Sequence, residues 1–301
     1  MPKTLILTDV HHRIDLVDEI VALEKADKVI WTGDYQDQFE DTPADAKKTA
    51  IWLKGKLEDP RNVMIIGNHD WTYMYPDNKH AYCSGFSDEK SEAIRKILNK
   101  NDFAKLKSFH VENNILFSHA GISKRFLDFV VKKGDWDEDK EYSLENIVSS
   151  LEDWTEKARL VYPVGGSHPL FMAGWDRGGR QDYGGIIWED SRTHFPIKGL
   201  KQIFGHTPGK KPYYILIGDH HGNPILVGLD KYDEELKSGM HKGSLETWGL
   251  CIDTHTNHYA IIEDEIVLTV KTVKQKRVLD TAKMEDKYIL VGVENFYKRL
   301  L

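Results

Sequence analysis

TLILTDVHHR (residues 4–13), KVIWTGDYQDQ (28–38) and NVMIIGNHD (62–70) share one design: a short apolar run that closes on Asp, His or Asn. Such runs, rich in Ile, Leu and Val and bounded by polar turn residues, read as buried strands. Between the first two, Leu16, Val17, Ile20, Val21 and Leu23 recur at helical spacing over Ile14 to Ala26. Between the second and third, Thr42-Pro43 is a helix start, with Thr as N-cap and Pro at the first helical position, and the helix should run to about Leu57. Residues 1–70 therefore read β-α-β-α-β, which predicts a mostly parallel sheet with helices outside.

Two more clusters follow the same pattern, FSHAGIS from Phe117 and FGHTPG from Phe204. The strands expected before them are Asn114 to Ser118 and Lys201 to Phe204. Strand ends of an α/β protein converge on one edge of the sheet, so residues distant in sequence can meet there. Asp, His and Asn supply hard oxygen and imidazole ligands, which suit Mn, Fe or Zn. Taken singly, each cluster has a plainer explanation: a helix cap for Asp9, a turn for Gly33-Asp34 and Gly67-Asn68, a satisfied core histidine for His119 and His206. Five in register with strands are hard to explain as packing.

The rest of the chain is read more coarsely. Residues 71–86 have no period and read as a loop near the site. Helices are expected from Ser87 to Asn99, Lys124 to Lys132 and Leu144 to Val161. A Gly-rich stretch with Trp175, Arg177 and Arg180 follows, and residues 122–196 as a whole read as a cap inserted beside the site. Residues 209–247 look turn-rich and charged. Trp248 to Asp253, Tyr259 to Ile262 and Ile266 to Val270 alternate enough to be antiparallel strands. The 301 residues are read as one domain. Several of the eight Trp lie between Trp136 and Trp188, which suggests an aromatic pocket or a second small core.

Composition narrows the class. Hydrophobic content of 40% with 30% charged residues describes an ordinary globular protein. A formal net charge of -7 argues against a general nucleic-acid binder. Two cysteines, Cys83 and Cys251, exclude a disulfide framework and suit a cytoplasmic location. The N-terminus has no signal-like apolar segment, and no run approaches the ~20 residues of a membrane span.

The motifs DxH at Asp9, GDxxD at Gly33, GNHD at Gly67, the SHAG histidine at His119 and GHT at Gly205 resemble the calcineurin-like metallophosphoesterases, over Asp9 to about Thr254. The resemblance is nearest to bacterial and phage serine/threonine phosphatases and symmetrical diadenosine tetraphosphate hydrolases. It implies an α/β fold of four layers, two mixed sheets face to face with helices outside. It also implies two divalent cations, manganese first with iron or zinc as alternatives. Asp9, His11 and Asp34 would hold one. Asp34 would bridge to the other, held further by Asn68, His119 and His206. Two such ions about 3.5–4 Å apart can share a hydroxide that attacks phosphorus in line. His69 would be the general acid, oriented by Asp37.

Two departures from the family pattern matter. GDYQDQF puts Gln38, which can hydrogen-bond phosphate but brings no charge, where many members carry a phosphate-binding Arg; Arg13, Arg177, Arg180 and Arg192 could replace it, Arg192 in IIWEDSR best of them. GHTPG puts Pro208 where nucleases and diesterases carry a second ligand histidine, and Pro cannot ligate. The expected activity is hydrolysis of a phosphomonoester on a small molecule or phosphoprotein. Cleavage of a dinucleoside polyphosphate or other nucleotide pyrophosphate is the alternative, and a non-catalytic binding module the third choice.

Overall fold

Six strands lie in each of two sheets, placed face to face. The structure is a computed structural model that describes residues 2–134, 142–218, 223–229, 231, 246–264, 267–280 and 285–300. Its first half follows the expected alternation: β1 (Lys3–Leu7), α1 (Ile14–Glu24), β2 (Lys28–Trp31), α2 (Pro43–Glu58) and β3 (Asn62–Met64). β1, β2 and β3 pair in parallel, in that order. Alternation along each strand sorts its side chains. Leu5, Leu7, Val29 and Trp31 belong to the core shared with the helices, while Ile6 and Ile30 enter the core between the sheets. α2 starts on a reciprocal cap, in which Thr42 Oγ1 accepts from Asp45 N and the Asp45 carboxylate accepts from Thr42 N.

The segment 71–86, expected to be a loop, opens as helix and is irregular for most of its remaining length. α3 (Asn68–Met74) begins directly on the third cluster. It shows no apolar period because it is covered on more than one side: Trp71 stacks on Phe171 at 4.0 Å between ring centroids, and Tyr73 lies 5.5 Å from Phe86. α4 (Asp88–Arg95) starts behind Ser87 as expected, and α5 (Lys100–Ala104) is a further short turn of helix.

The second sheet is built from β4 (Phe109–Glu112), β5 (Ile115–Ser118), β6 (Lys201–Phe204), β7 (Tyr213–Ile217), β8 (Pro224–Gly228) and β9 (Trp248–Cys251), in the order β4-β5-β6-β9-β7-β8. Two differences from expectation arise here. β9 pairs in parallel with β6 as well as antiparallel with β7. Within the region read as turn-rich, β7 and β8 form an antiparallel pair; YYILI and PILVG are apolar, but charged residues on either side obscure them. Most of 230–245, and Trp136, lie outside the described residues. Facing this sheet across the core, Ile115, Phe117, Ile203, Trp248 and Leu250 meet Ile6, Ile30 and Ile65, all 0% exposed. Truncating Phe117 to Ala there would cost about 3–5 kcal/mol.

α6 (Lys124–Lys132) and α7 (Leu144–Val161) carry the two amphipathic stretches read from sequence. The first sheet is completed by β10 (His258–Glu263), β11 (Val267–Asp280) and β12 (Glu285–Leu300), giving β12-β11-β10-β1-β2-β3. β11 runs far past the expected Val270. KTVKQKR, its continuation, is too rich in charge to show a half-buried alternation.

Candidate metal centre

All five polar clusters fall where β1, β2, β3, β5 and β6 end. Past the strands, the loops stay laced together by backbone bonds: Asp9 N to Gly33 O at 3.2 Å, His11 N to Asp34 O at 2.9 Å, His12 N to Tyr35 O at 3.1 Å. On the other sheet, Gly205 N donates to His119 O at 2.8 Å. Contacts at this end join the sheets, among them His119 Nδ1 donating to Thr32 O at 2.8 Å and His206 N donating to the Asp9 carboxylate at 3.1 Å. Asp70 is the organiser of the third cluster. Its carboxylate accepts from the backbone of Asp34 (2.8 Å), Tyr35 (3.0 Å) and Gly67 (2.9 Å).

The local backbone is strained toward this end. Asp9, His11, Asp34, Asp37 and His206 have φ of 49°, 41°, 55°, 62° and 68°. Residues other than Gly rarely adopt this left-handed region, and its cost is held at sites where surrounding bonds over-determine it. Two glycines make room: a Cβ on Gly67 would overlap the Asp34 carboxylate, and one on Gly205 would overlap Thr8 and Asp9.

Two groups of ligand atoms result, Asp9–His11–Asp34 and Asp34–His119–His206, each within 4.8 Å, and Asp34 belongs to both. Asn68 joins the second group, its Oδ1 2.8 Å from His119 Nε2. Each imidazole is turned by the bond its other nitrogen makes. His11 gives Nδ1 to Asp37 O at 2.6 Å, which leaves Nε2 3.7 Å from Asp34. His119 gives Nδ1 to Thr32, which leaves Nε2 3.3 Å from Asp34 and 3.1 Å from His206 Nδ1.

Charge shows that the pocket suits cations. Burial pushes the Asp9 carboxyl up to about 6, with Asp34 adding to the rise. At Asp34 burial works the same way, but His119, His69 and His11 outweigh it and hold the carboxyl far below its usual range. His119 is the counterpart: burial opposes its charge, yet Asp34 and Asp9 raise it to about 9. Burial and the neighbouring His119 hold His206 well below the usual range, hence neutral, and its Nε2 is buried with no hydrogen-bond partner. The carboxylates thus recruit a proton onto His119. Divalent cations would supply that charge and free the imidazoles to ligate, so the residues present fit two such ions.

His69 lies beside this centre and outside both groups. Its Nδ1 is 3.0 Å from Asp37 Oδ2, and its Nε2 is 3.5 Å from Cys83 Sγ. The arginines divide differently from the expectation. Arg192 has a side chain 63% exposed and bonds Asp190 through Nε at 2.8 Å and through Nη2. Arg13 reaches His255 O and Thr256 Oγ1, and Gln38 is exposed. Arg177 instead touches the centre: Nη2 donates to Thr207 Oγ1 at 2.7 Å, next to His206, while Nε pairs with Asp190 at 3.1 Å. Its position in a Gly-rich stretch gives no sign of this contact. Asp70 and Cys83 carry no sign of a role in the sequence, because each acts through neighbours far away in the chain.

A profile of the calcineurin-like phosphoesterase family matches residues 2–210. No curated protein sequence matches the chain. Similar solved structures include a cold-active protein tyrosine phosphatase, 13% identical, with a TM-score of 0.46, covering 90% of this chain and 76% of its own. Another is a serine/threonine phosphatase from Saccharomyces cerevisiae, 10% identical, with a TM-score of 0.43, covering 98% of this chain and 80% of its own.

Proposed function

Since the chain belongs to the calcineurin-like phosphoesterase family, whose chemistry is metal-dependent phosphoester hydrolysis, we propose that it hydrolyses phosphomonoesters of a small molecule or a protein at a centre of two divalent cations. The observation that carries this is the position of Asp34 in both ligand groups. Asp9 and His11 complete one group; Asn68, His119 and His206 complete the other. When bound, the ions would lower the pKa of a shared water toward neutrality and offset charge on the phosphoryl oxygens. Manganese is the first choice, with iron or zinc behind it.

The remaining steps belong to the chain. His69, oriented by Asp37, holds a proton for the leaving oxygen on the Nε2 side. Arg177 brings a guanidinium to the Thr207 side, where a phosphate oxygen can compete for its donors. Arg192 and Arg13 remain weaker candidates for that task because both are engaged elsewhere. We also place residues 122–196 as a cap within a single domain, and the protein in the cytoplasm. No helix among the described residues is long and apolar enough to cross a membrane, and both cysteines are free thiols.

One feature supports nucleotide pyrophosphates as a second substrate class. A cleft of about 420 Å³, lined in part by Trp175, Tyr183 and Trp188, opens beside the centre, and Trp188 lies edge-on to His206 with ring centroids 5.7 Å apart.

The test is metal content measured together with turnover. Purified protein should hold divalent metal and hydrolyse p-nitrophenyl phosphate in manganese. Failure to bind any metal, with no turnover on adding manganese, would sink the proposal. Comparing that monoester with diadenosine tetraphosphate separates the two substrate classes, and a wide preference for bis(p-nitrophenyl) phosphate would exclude both.

A further inference from the structure

Lys90 occupies an unfavourable place for a lysine. It is the third residue of α4, where a positive charge opposes the helix dipole, and its side chain is only 6% exposed. Burying an ion pair costs desolvation that attraction often fails to recover, and an apolar side chain of similar volume would serve stability as well or better. Yet its ammonium has clear partners. Nζ lies 2.7 Å from Asp37 Oδ1, and 3.0 and 3.1 Å from the two oxygens of Asp41.

The contacts on Asp37 are divided by oxygen. Oδ1 accepts from Lys90 and from the Tyr73 hydroxyl, the latter at 2.5 Å. Oδ2 is left to His69 Nδ1 at 3.0 Å. With one oxygen held by two donors, the plane of the carboxylate is fixed and the other oxygen addresses the imidazole. Asp41 is fixed in turn by His12, whose Nε2 is 2.8 Å from Asp41 Oδ2 and whose Nδ1 is 2.6 Å from Thr49 Oγ1 on α2. Both ring nitrogens of His12 are thus engaged away from the two ligand groups. The chain of contacts runs Thr49, His12, Asp41, Lys90, Asp37, His69.

We propose that Lys90 is a positioning residue for proton donation to the leaving group: it locks Asp37, which turns His69 Nε2 toward the departing oxygen, while Asp41 and His12 lock Lys90. This rests on the assignment of His69 as the acid. A lysine that merely neutralises two buried carboxylates would affect all substrates alike. One that orients the acid affects them according to how much the leaving group needs a proton.

The experiment compares kcat and KM for p-nitrophenyl phosphate and for a primary alkyl phosphate, on manganese-loaded protein whose bound metal is measured. Lys90→Met should lower kcat on the alkyl phosphate about 10–100-fold, with KM and bound metal unchanged, and lower it less than about threefold on the aryl ester. Asp41→Asn should show the same selectivity with a smaller loss, and it decides the matter if circular dichroism shows Lys90→Met unfolded. Equal losses on both substrates, or no loss on the alkyl phosphate, would overturn the proposal. His69→Ala run alongside separates the causes. If it too lacks leaving-group selectivity, the assignment of the acid fails; if it shows selectivity and the Lys90 and Asp41 variants do not, only the role of Lys90 fails.

Discussion

The two flanks of the metal centre hold their charged groups in different ways. On the His69 flank one carboxylate, Asp37, receives three donors, and its side chain is 3% exposed. On the Arg177 flank one carboxylate, Asp190, serves two guanidiniums, whose side chains are 21% and 63% exposed. The first arrangement would fix the proposed proton donor, His69, before any substrate arrives. The second keeps a cation at the mouth of the centre with part of its donors in use and part accessible. Preorganisation suits a group that must meet a transition state, and accessibility suits one that must first capture an anion. Changes on the His69 flank should therefore act on kcat, and changes on the Arg177 flank on KM.

The largest effect should come from removing what both flanks depend on. Asp34→Ala takes a ligand from both groups, so bound metal should be lost and turnover should fall about 10³-fold or more, on every substrate alike. Metal analysis of the purified variant checks the first half. His69→Ala should keep its metal and lose about 10²–10³-fold in kcat on an alkyl phosphate, but only a few-fold on p-nitrophenyl phosphate, whose leaving group needs little protonation. Arg177→Ala should raise KM about tenfold with a smaller change in kcat, the scale of a charge-assisted hydrogen bond, while Arg192→Ala should change either by less than about threefold. Equal effects of the two arginine variants would erase the distinction drawn between them.

The smallest effect concerns a histidine buried behind β6. His194 is fully buried against Phe204, and burial pushes its pKa down to about 3 from an ordinary 6.5. The unfolded chain then binds the extra proton between those values, so stability should fall as pH drops below 6.5. At about 1.4 kcal/mol per unit, the loss from this group between pH 6.5 and 5 is at most about 2 kcal/mol. Urea midpoints at pH 7 and 5 should show a shallower dependence in His194→Asn than in the unaltered chain.

Much of the centre was visible before any coordinates. Asp9, His11, Asp34, Asn68, His119 and His206 stand at the ends of apolar runs, and the turn chemistry of Gly33, Gly67 and Gly205 marks them. The helix at Asn68–Met74 was hidden because Trp71 and Tyr73 meet aromatic partners on different sides, which removes the period that signals a helix. The pair β7 and β8 was hidden by the charged residues around it. Lys90 was invisible as a functional residue, and Arg177 could not be singled out from Arg13, Arg180 and Arg192, for another reason. Each takes its meaning from a carboxylate or hydroxyl brought close by the fold, Lys90 from Asp37 and Asp41, some 50 positions away, and Arg177 from Thr207, 30 positions away.

The order of elements along residues 1–70, the family motifs and the candidate ligands they carry are properties of local pattern, because strand and turn preferences act over a few residues. Which nitrogen of His69 Asp37 holds, which arginine reaches Thr207 and why a lysine is buried at position 90 are properties of assembly. They depend on the strand ends of the two facing sheets coming together, where His119 bonds Thr32 and His206 bonds Asp9. Those contacts join residues 87 and 197 positions apart, beyond the range over which neighbours in the chain constrain one another.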